Sequence, residues 1–202
     1  MRRKESEFKT IFFSESGTQK INNDYFGYVQ LDNYAIWVIA DGYDGEEGAN
    51  IASKLSVESA IEYFTAHPRF NKEVIKELFK YTNDTIKQKQ EEMERYSLMH
   101  TSLLIVISNY NKILYGNIGN TRLYHIQGGY IVNQSSDDSV SQLLVQERAL
   151  DIKDIKSHRQ RNDLLQAIGD YSKVKPTISN EIKLLEGDKI CLTTRGAWEN
   201  ID

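Results

Sequence analysis

The segment Tyr34-Ala35-Ile36-Trp37-Val38-Ile39-Ala40-Asp41-Gly42-Tyr43-Asp44-Gly45 decides how the rest of the chain is read. Its first seven residues are all apolar, with β-branched side chains at Ile36, Val38 and Ile39. A short unbroken run of this kind fits a strand buried on both faces, not one that alternates between core and solvent. The run stops abruptly at Asp41, and the glycines beyond it mark a loop.

Two helices follow. From Glu46 to Thr65, Ala49, Ala52, Ser56 and Ala60 recur at helical spacing and form a face of small residues suited to close packing. Val57, Ile61 and Phe64 lie beside that face, and His67-Pro68 ends the helix. Asn71, three residues before Val74, is a candidate N-cap for a second helix. That helix carries Ile75, Leu78, Phe79, Thr82 and Ile86 on its apolar face, with a charged tail to about Arg95.

Strands are predicted at Phe8–Ser14, Tyr25–Leu31, Thr101–Ser108, Lys112–Asn117, Thr121–Gln127, Tyr130–Asn133 and Lys189–Thr194. Gly128-Gly129 supplies a hairpin turn, and Ser139–Glu147 and Asn162–Ile168 read as short helices. Strands, then two helices, then strands again imply an α+β fold in which antiparallel sheet is covered by helices.

The 202 residues, 40% hydrophobic and 10% aromatic, suffice for one folded domain over 1–202 and exclude a disordered chain. With 25 Lys plus Arg against 29 Asp plus Glu, the net charge of −4 argues against nucleic acid as a partner. The apolar runs fall far short of the roughly 20 residues that span a bilayer, so no membrane association is expected. The opening Met1-Arg2-Arg3-Lys4-Glu5 lacks the apolar stretch of a secretory signal. Cys191 is the only cysteine, so no intramolecular disulfide can form, and a reducing, cytoplasmic setting is expected.

Asp41-Gly42 is the leading chemical feature. A strand-end carboxylate with a glycine carbonyl beside it suits a hard divalent cation such as Mg²⁺. Capping of the following turn accounts for Asp41 equally well. Asn22-Asn23-Asp24 is a turn opening another strand when taken alone.

Seven segments in chain order resemble the motifs of the metal-dependent PP2C (PPM-type) serine/threonine protein phosphatases. Gly17-Thr18-Gln19-Lys20-Ile21-Asn22-Asn23-Asp24 is similar to G-x-R-x-x-N-E/Q-D, and Val38–Gly45 to V-A-D-G-x-G-G. Met99–Leu103 sits where the family has G-T/S-T, and Gly116–Arg122 resembles A-N-V-G-D-S-R. Ser136-Asp137-Asp138-Ser139 parallels D-H-S, Arg161–Gly169 parallels R-N-x-L-x-x-A-L-G, and Gly187–Glu199 resembles the G-D…S/T-D-G-L-W-D block. The resemblance implies a four-layer α-β-β-α sandwich of antiparallel sheets. It also implies a hydrolase for phosphoserine or phosphothreonine, with Mg²⁺ or Mn²⁺ between the sheets activating a water and an arginine of the first motif holding the phosphate. On this resemblance Asp24, Asp41 and the Gly42 carbonyl are the metal donors, and Asp41 is the catalytic centre if the domain is active.

Three residues depart from the pattern. Gln19 replaces the phosphate-holding arginine, Asn23 the acid before Asp24, and Arg195 the aspartate of S/T-D-G. A guanidinium about 5 Å from a divalent ion at an effective dielectric of about 20 costs about 6 kcal/mol, roughly four decades of affinity. Arg195 is therefore expected to pair with Asp41 or Asp24 as a fixed counter-charge, and Asp44 to be an ordinary loop residue. The family's last motif would lie beyond Asp202, so the fold is expected to lack its last strand. These departures imply a pseudophosphatase with a degraded metal site, holding Mg²⁺ or Mn²⁺ if the site functions and no cofactor otherwise, that binds a phosphoprotein or signalling protein. Two alternatives stand beside it: an active Mg²⁺- or Mn²⁺-dependent phosphoprotein phosphatase, and a scaffold domain whose open sheet edge takes a partner strand or a second copy.

Overall fold

The computed structural model describes residues 7–43, 45, 47–170 and 173–200. β1 (Asp24–Gln30) and β2 (Ala35–Gly42) form an antiparallel pair, followed by α1 (Ala49–Ala66) and α2 (Lys72–Glu92). β3 (Thr101–Ser108), β4 (Lys112–Ile118), β5 (Arg122–Gln127) and β6 (Tyr130–Gln134) come next, then α3 (Val140–Gln146). The chain closes with the short strands β7 (Thr177–Ile178) and β8 (Ile182–Lys183), then β9 (Lys189–Thr193) and the single turn α4 (Arg195–Trp198). The larger sheet has the order β1-β2-β3-β4-β7, with β8 also on β4, and the smaller one the order β6-β5-β9. Every pairing is antiparallel.

Both faces of the larger sheet are covered, which is why its central strands read as unbroken apolar runs. β3 is buried at all eight positions. One face sends Ile36, Val38, Ala40, Leu103, Ile105 and Ile107 against α1 and α2. The other sends Trp37, Ile39, Leu104 and Val106 against Leu123, Ile190 and Leu192 of the smaller sheet. The small-residue face of α1 lets the helix lie close to the strands. A Cβ on Gly27 would sit 2.6 Å from Ile61 Cδ1, so the sheet too must be bare there. Asn71 caps α2 as expected, its Oδ1 accepting the Val74 N–H at 2.8 Å.

Two expected elements are not formed. Residues 8–14 form no regular element and join no sheet; their side chains make the contacts instead. Phe8 packs edge-on against Trp37 with centroids 4.8 Å apart, Thr10 Oγ1 accepts Trp37 Nε1–H at 3.0 Å, and Phe12 packs on Phe26. The helix expected at Asn162–Ile168 is absent because its backbone bonds outward. Asp163 O accepts the Val140 N–H, Leu165 N–H donates to Asp138 O, and Ile168 exchanges two bonds with Thr101.

The described residues build three layers, α1 and α2, the larger sheet and the smaller sheet, and not the four expected. The outer side of the smaller sheet stays open, with β6 exposed along its whole length and Cys191 exposed on β9. No helix among the described residues is long and apolar enough to cross a membrane.

Candidate metal and phosphate site

β1 and β2 place Asp24 directly opposite Asp41 in the antiparallel register. Local chain geometry fixes both. Asn22 Oδ1 accepts the Asp24 N–H at 3.0 Å, forming the turn read from Asn22-Asn23-Asp24. The Gly42 N–H donates to Asn23 O at 3.0 Å, so Asn23 contributes its carbonyl to the strand pairing. Gly42 is forced by its neighbour: a Cβ there would stand 2.2 Å from the Ala49 carbonyl oxygen at the start of α1.

The end of β9 closes over these carboxylates. Thr194 Oγ1 donates to Asp24 Oδ2 at 2.6 Å, and the Arg195 backbone N–H donates to Asp41 Oδ2 at 3.2 Å. Consecutive residues thus each donate to one acid of a cross-strand pair. Arg195 meets Asp41, one of its two expected partners, through its backbone amide. Its guanidinium Nη1 donates to Asn162 Oδ1 at 3.2 Å and to Glu199 Oε2 at 3.4 Å. Arg161 Nε lies 3.4 Å from Glu199 Oε1, an ion pair without a hydrogen bond.

A cavity of about 90 Å³ opens here, lined by Asp41, Gly42, Tyr43, Asn120, Asn162, Leu164 and Arg195. At about 30 Å³ per water it takes a few solvent molecules or one phosphoryl group, far less than a drug-sized ligand. Gln19 is exposed on the turn it forms with Ser16 and lines no part of the cavity. Asp44 lies outside the described residues.

Among the described residues no group of three or more His, Cys, Asp or Glu side chains is gathered in one place. Two carboxylates and one nearby glycine carbonyl suit a single six-coordinate Mg²⁺ or Mn²⁺ completed by water. Asn120, Asn162, Thr194 and Glu199 had no role assigned from sequence; the only signal for them was their place inside the quoted motifs. Arg122, also in a motif, forms a bidentate pair with Asp137 at 2.8 and 2.6 Å and stacks 3.4 Å over Trp198. Trp198 is buried, and its Nε1–H donates to Asn120 O at 2.8 Å, so this cluster holds one wall of the cavity.

A family model described as protein phosphatase 2C matches residues 14–198. Protein phosphatase PhpP of Streptococcus pneumoniae is 27% identical over 188 residues, covering 91% of this chain and 76% of PhpP. Among solved structures, serine/threonine phosphatase Stp1 of Staphylococcus aureus superposes with a TM-score of 0.86 at 23% identity, covering 100% of this chain and 82% of Stp1. The catalytic domain of the serine/threonine phosphatase PstP, in complex with two manganese ions, superposes with a TM-score of 0.76 at 20% identity, covering 91% of this chain and 75% of that one.

Proposed function

The chain belongs to the protein phosphatase 2C family, and from that premise we propose that it hydrolyses phosphoserine or phosphothreonine on a protein substrate with the help of one Mg²⁺ or Mn²⁺ ion. The observation that carries this reading is the register pairing of Asp24 with Asp41 beside the small polar cavity. The manganese in the PstP structure supports the choice of ion. Asp24, Asp41 and the Gly42 carbonyl would hold the ion, which would supply charge to polarise a phosphoryl oxygen and to acidify a water. Thr194 and the Arg195 amide each hold one carboxylate oxygen, of Asp24 and Asp41 respectively. The amide groups of Asn120 and Asn162 line the space a phosphoryl group would fill and can hydrogen-bond its oxygens. We read residues 1–202 as one such domain, acting in the cytoplasm.

A second reading has its own observation, the presence of Arg195 where the family motif has an aspartate. Under it the domain binds phosphoproteins without turnover, as a pseudophosphatase. Inorganic phosphate release from a phosphoserine peptide, assayed across a Mn²⁺ titration, separates the two. Metal-dependent release supports the first; peptide binding without release, together with release gained in R195D, supports the second.

A further inference from the structure

We propose that Arg195 is the residue of this site that binds the phosphoryl group of the substrate. The proposal rests on the phosphatase-family reading above and assigns a role to a residue at which this chain departs from the family motif. Among the described residues lining the cavity, Arg195 is the one cation, and it shares that lining with Asp41. Gln19, at the position the motif gives to a phosphate-holding arginine, is uncharged and outside the lining.

The side chain is built for the task. It is only 21% exposed, so charge-assisted hydrogen bonds from it are weakly screened. Its backbone is tied to Asp41, and Asn162 and Glu199 both hold Nη1, which fixes the direction of the guanidinium before any ligand arrives. Its planar fork matches two phosphoryl oxygens, as an ammonium does not. Glu199 is shared between Arg195 and Arg161, each 3.4 Å from one of its carboxylate oxygens. The neutral amides of Asn120 and Asn162 complete a lining that donates hydrogen bonds without adding negative charge. Asp24 and Asp41 repel a phosphate dianion until a cation neutralises them, so phosphate binding and Mn²⁺ binding reinforce one another.

Calorimetry on the full chain, with inorganic phosphate and a phosphoserine peptide as probes and with Mn²⁺ or a chelator present, tests this. R195Q is expected to weaken binding of both probes by about 10- to 100-fold, the range of a lost charge-assisted pair, while its Mn²⁺ affinity is unchanged or higher. R195K is expected to be intermediate, which separates lost charge from lost folding should R195Q unfold. The unphosphorylated peptide should not bind in the cavity. Wild-type affinity for phosphate retained in R195Q overturns the proposal, as does wild-type protein that binds neither probe. Its failure is distinguishable from failure of the hydrolytic reading. Turnover with unchanged KM in R195Q sinks the Arg195 assignment alone, whereas Arg195-dependent phosphate binding without turnover sinks hydrolysis alone.

Discussion

Thr194 Oγ1 donates to Asp24 Oδ2 across 2.6 Å, a contact between residues 170 positions apart in sequence. The next amide along, that of Arg195, does the same for Asp41. Asp24 and Asp41 are cross-strand partners, and like charges placed directly opposite each other on a sheet destabilise it. The turn from β9 into α4 offsets that repulsion, and it ties the smaller sheet to the strand pair of the larger one that carries Asp24 and Asp41.

Replacing Thr194 by valine removes the donor while keeping the shape. T194V should cost about 1–3 kcal/mol, the range for a hydrogen bond to a charged group. Urea denaturation measures it. Saturating Mn²⁺ should restore part of the loss, because an ion neutralising Asp24 stabilises the folded state by mass action, about 2.7 kcal/mol at 100 times Kd.

Gly42→Ala addresses the close approach of β2 to α1. The added methyl would meet the Ala49 carbonyl at 2.2 Å, and neither partner is a flexible side-chain end. Overpacking of this kind costs about 1–3 kcal/mol, with displacement of the backbone that carries Asp41. A lower thermal midpoint and weakened Mn²⁺ binding in calorimetry are both expected.

The Arg122–Asp137 pair has side chains only 10% and 2% exposed. R122A leaves a buried carboxylate without its partner and strips the cation from the face of Trp198. A loss of about 3–5 kcal/mol is expected from denaturant titration. A smaller loss in the double variant R122A/D137A would confirm that the stranded charge is the cause.

Asp188 sets an acid limb. Burial alone would raise its pKa, but hydrogen bonds from Gln127, the Leu185 amide and His125, all onto Oδ2, together hold it below the ordinary carboxylate value. The native state then binds fewer protons than the unfolded chain in acid. Its stabilisation is fully present above the unfolded pKa and is lost as pH falls through the lower folded one. The stability gap between wild type and D188N should therefore be constant near neutrality and shrink below about pH 4. A gap that widens in acid would contradict this sign.

The double-faced burial of β2, the small face of α1 and the Asn71 cap were legible because each is a local pattern with one physical meaning. Motif order set Asp24 and Asp41 together, and the register of β1 and β2 places them opposite each other. The segments that failed show where local pattern is not enough. Residues 8–14 have strand-like composition, but their side chains are spent on Trp37 and Phe26 and no edge takes their backbone. Residues 162–168 have helical spacing, but Asp138, Val140 and Thr101 claim their backbone groups from far away in sequence. The direction of the Arg195 guanidinium was equally hidden, since it depends on Asn162 and Glu199, two acceptors that no spacing rule connects to it.

The central claim is hydrolysis supported by a divalent ion at Asp24 and Asp41. The most direct measurement is release of inorganic phosphate from a phosphoserine peptide, run beside Mn²⁺ calorimetry on the same wild-type and D41N samples. Saturable binding of one ion with metal-dependent release, both abolished in D41N, is the predicted result. Absence of release at saturating Mn²⁺, or release that persists undiminished in D41N, would contradict it.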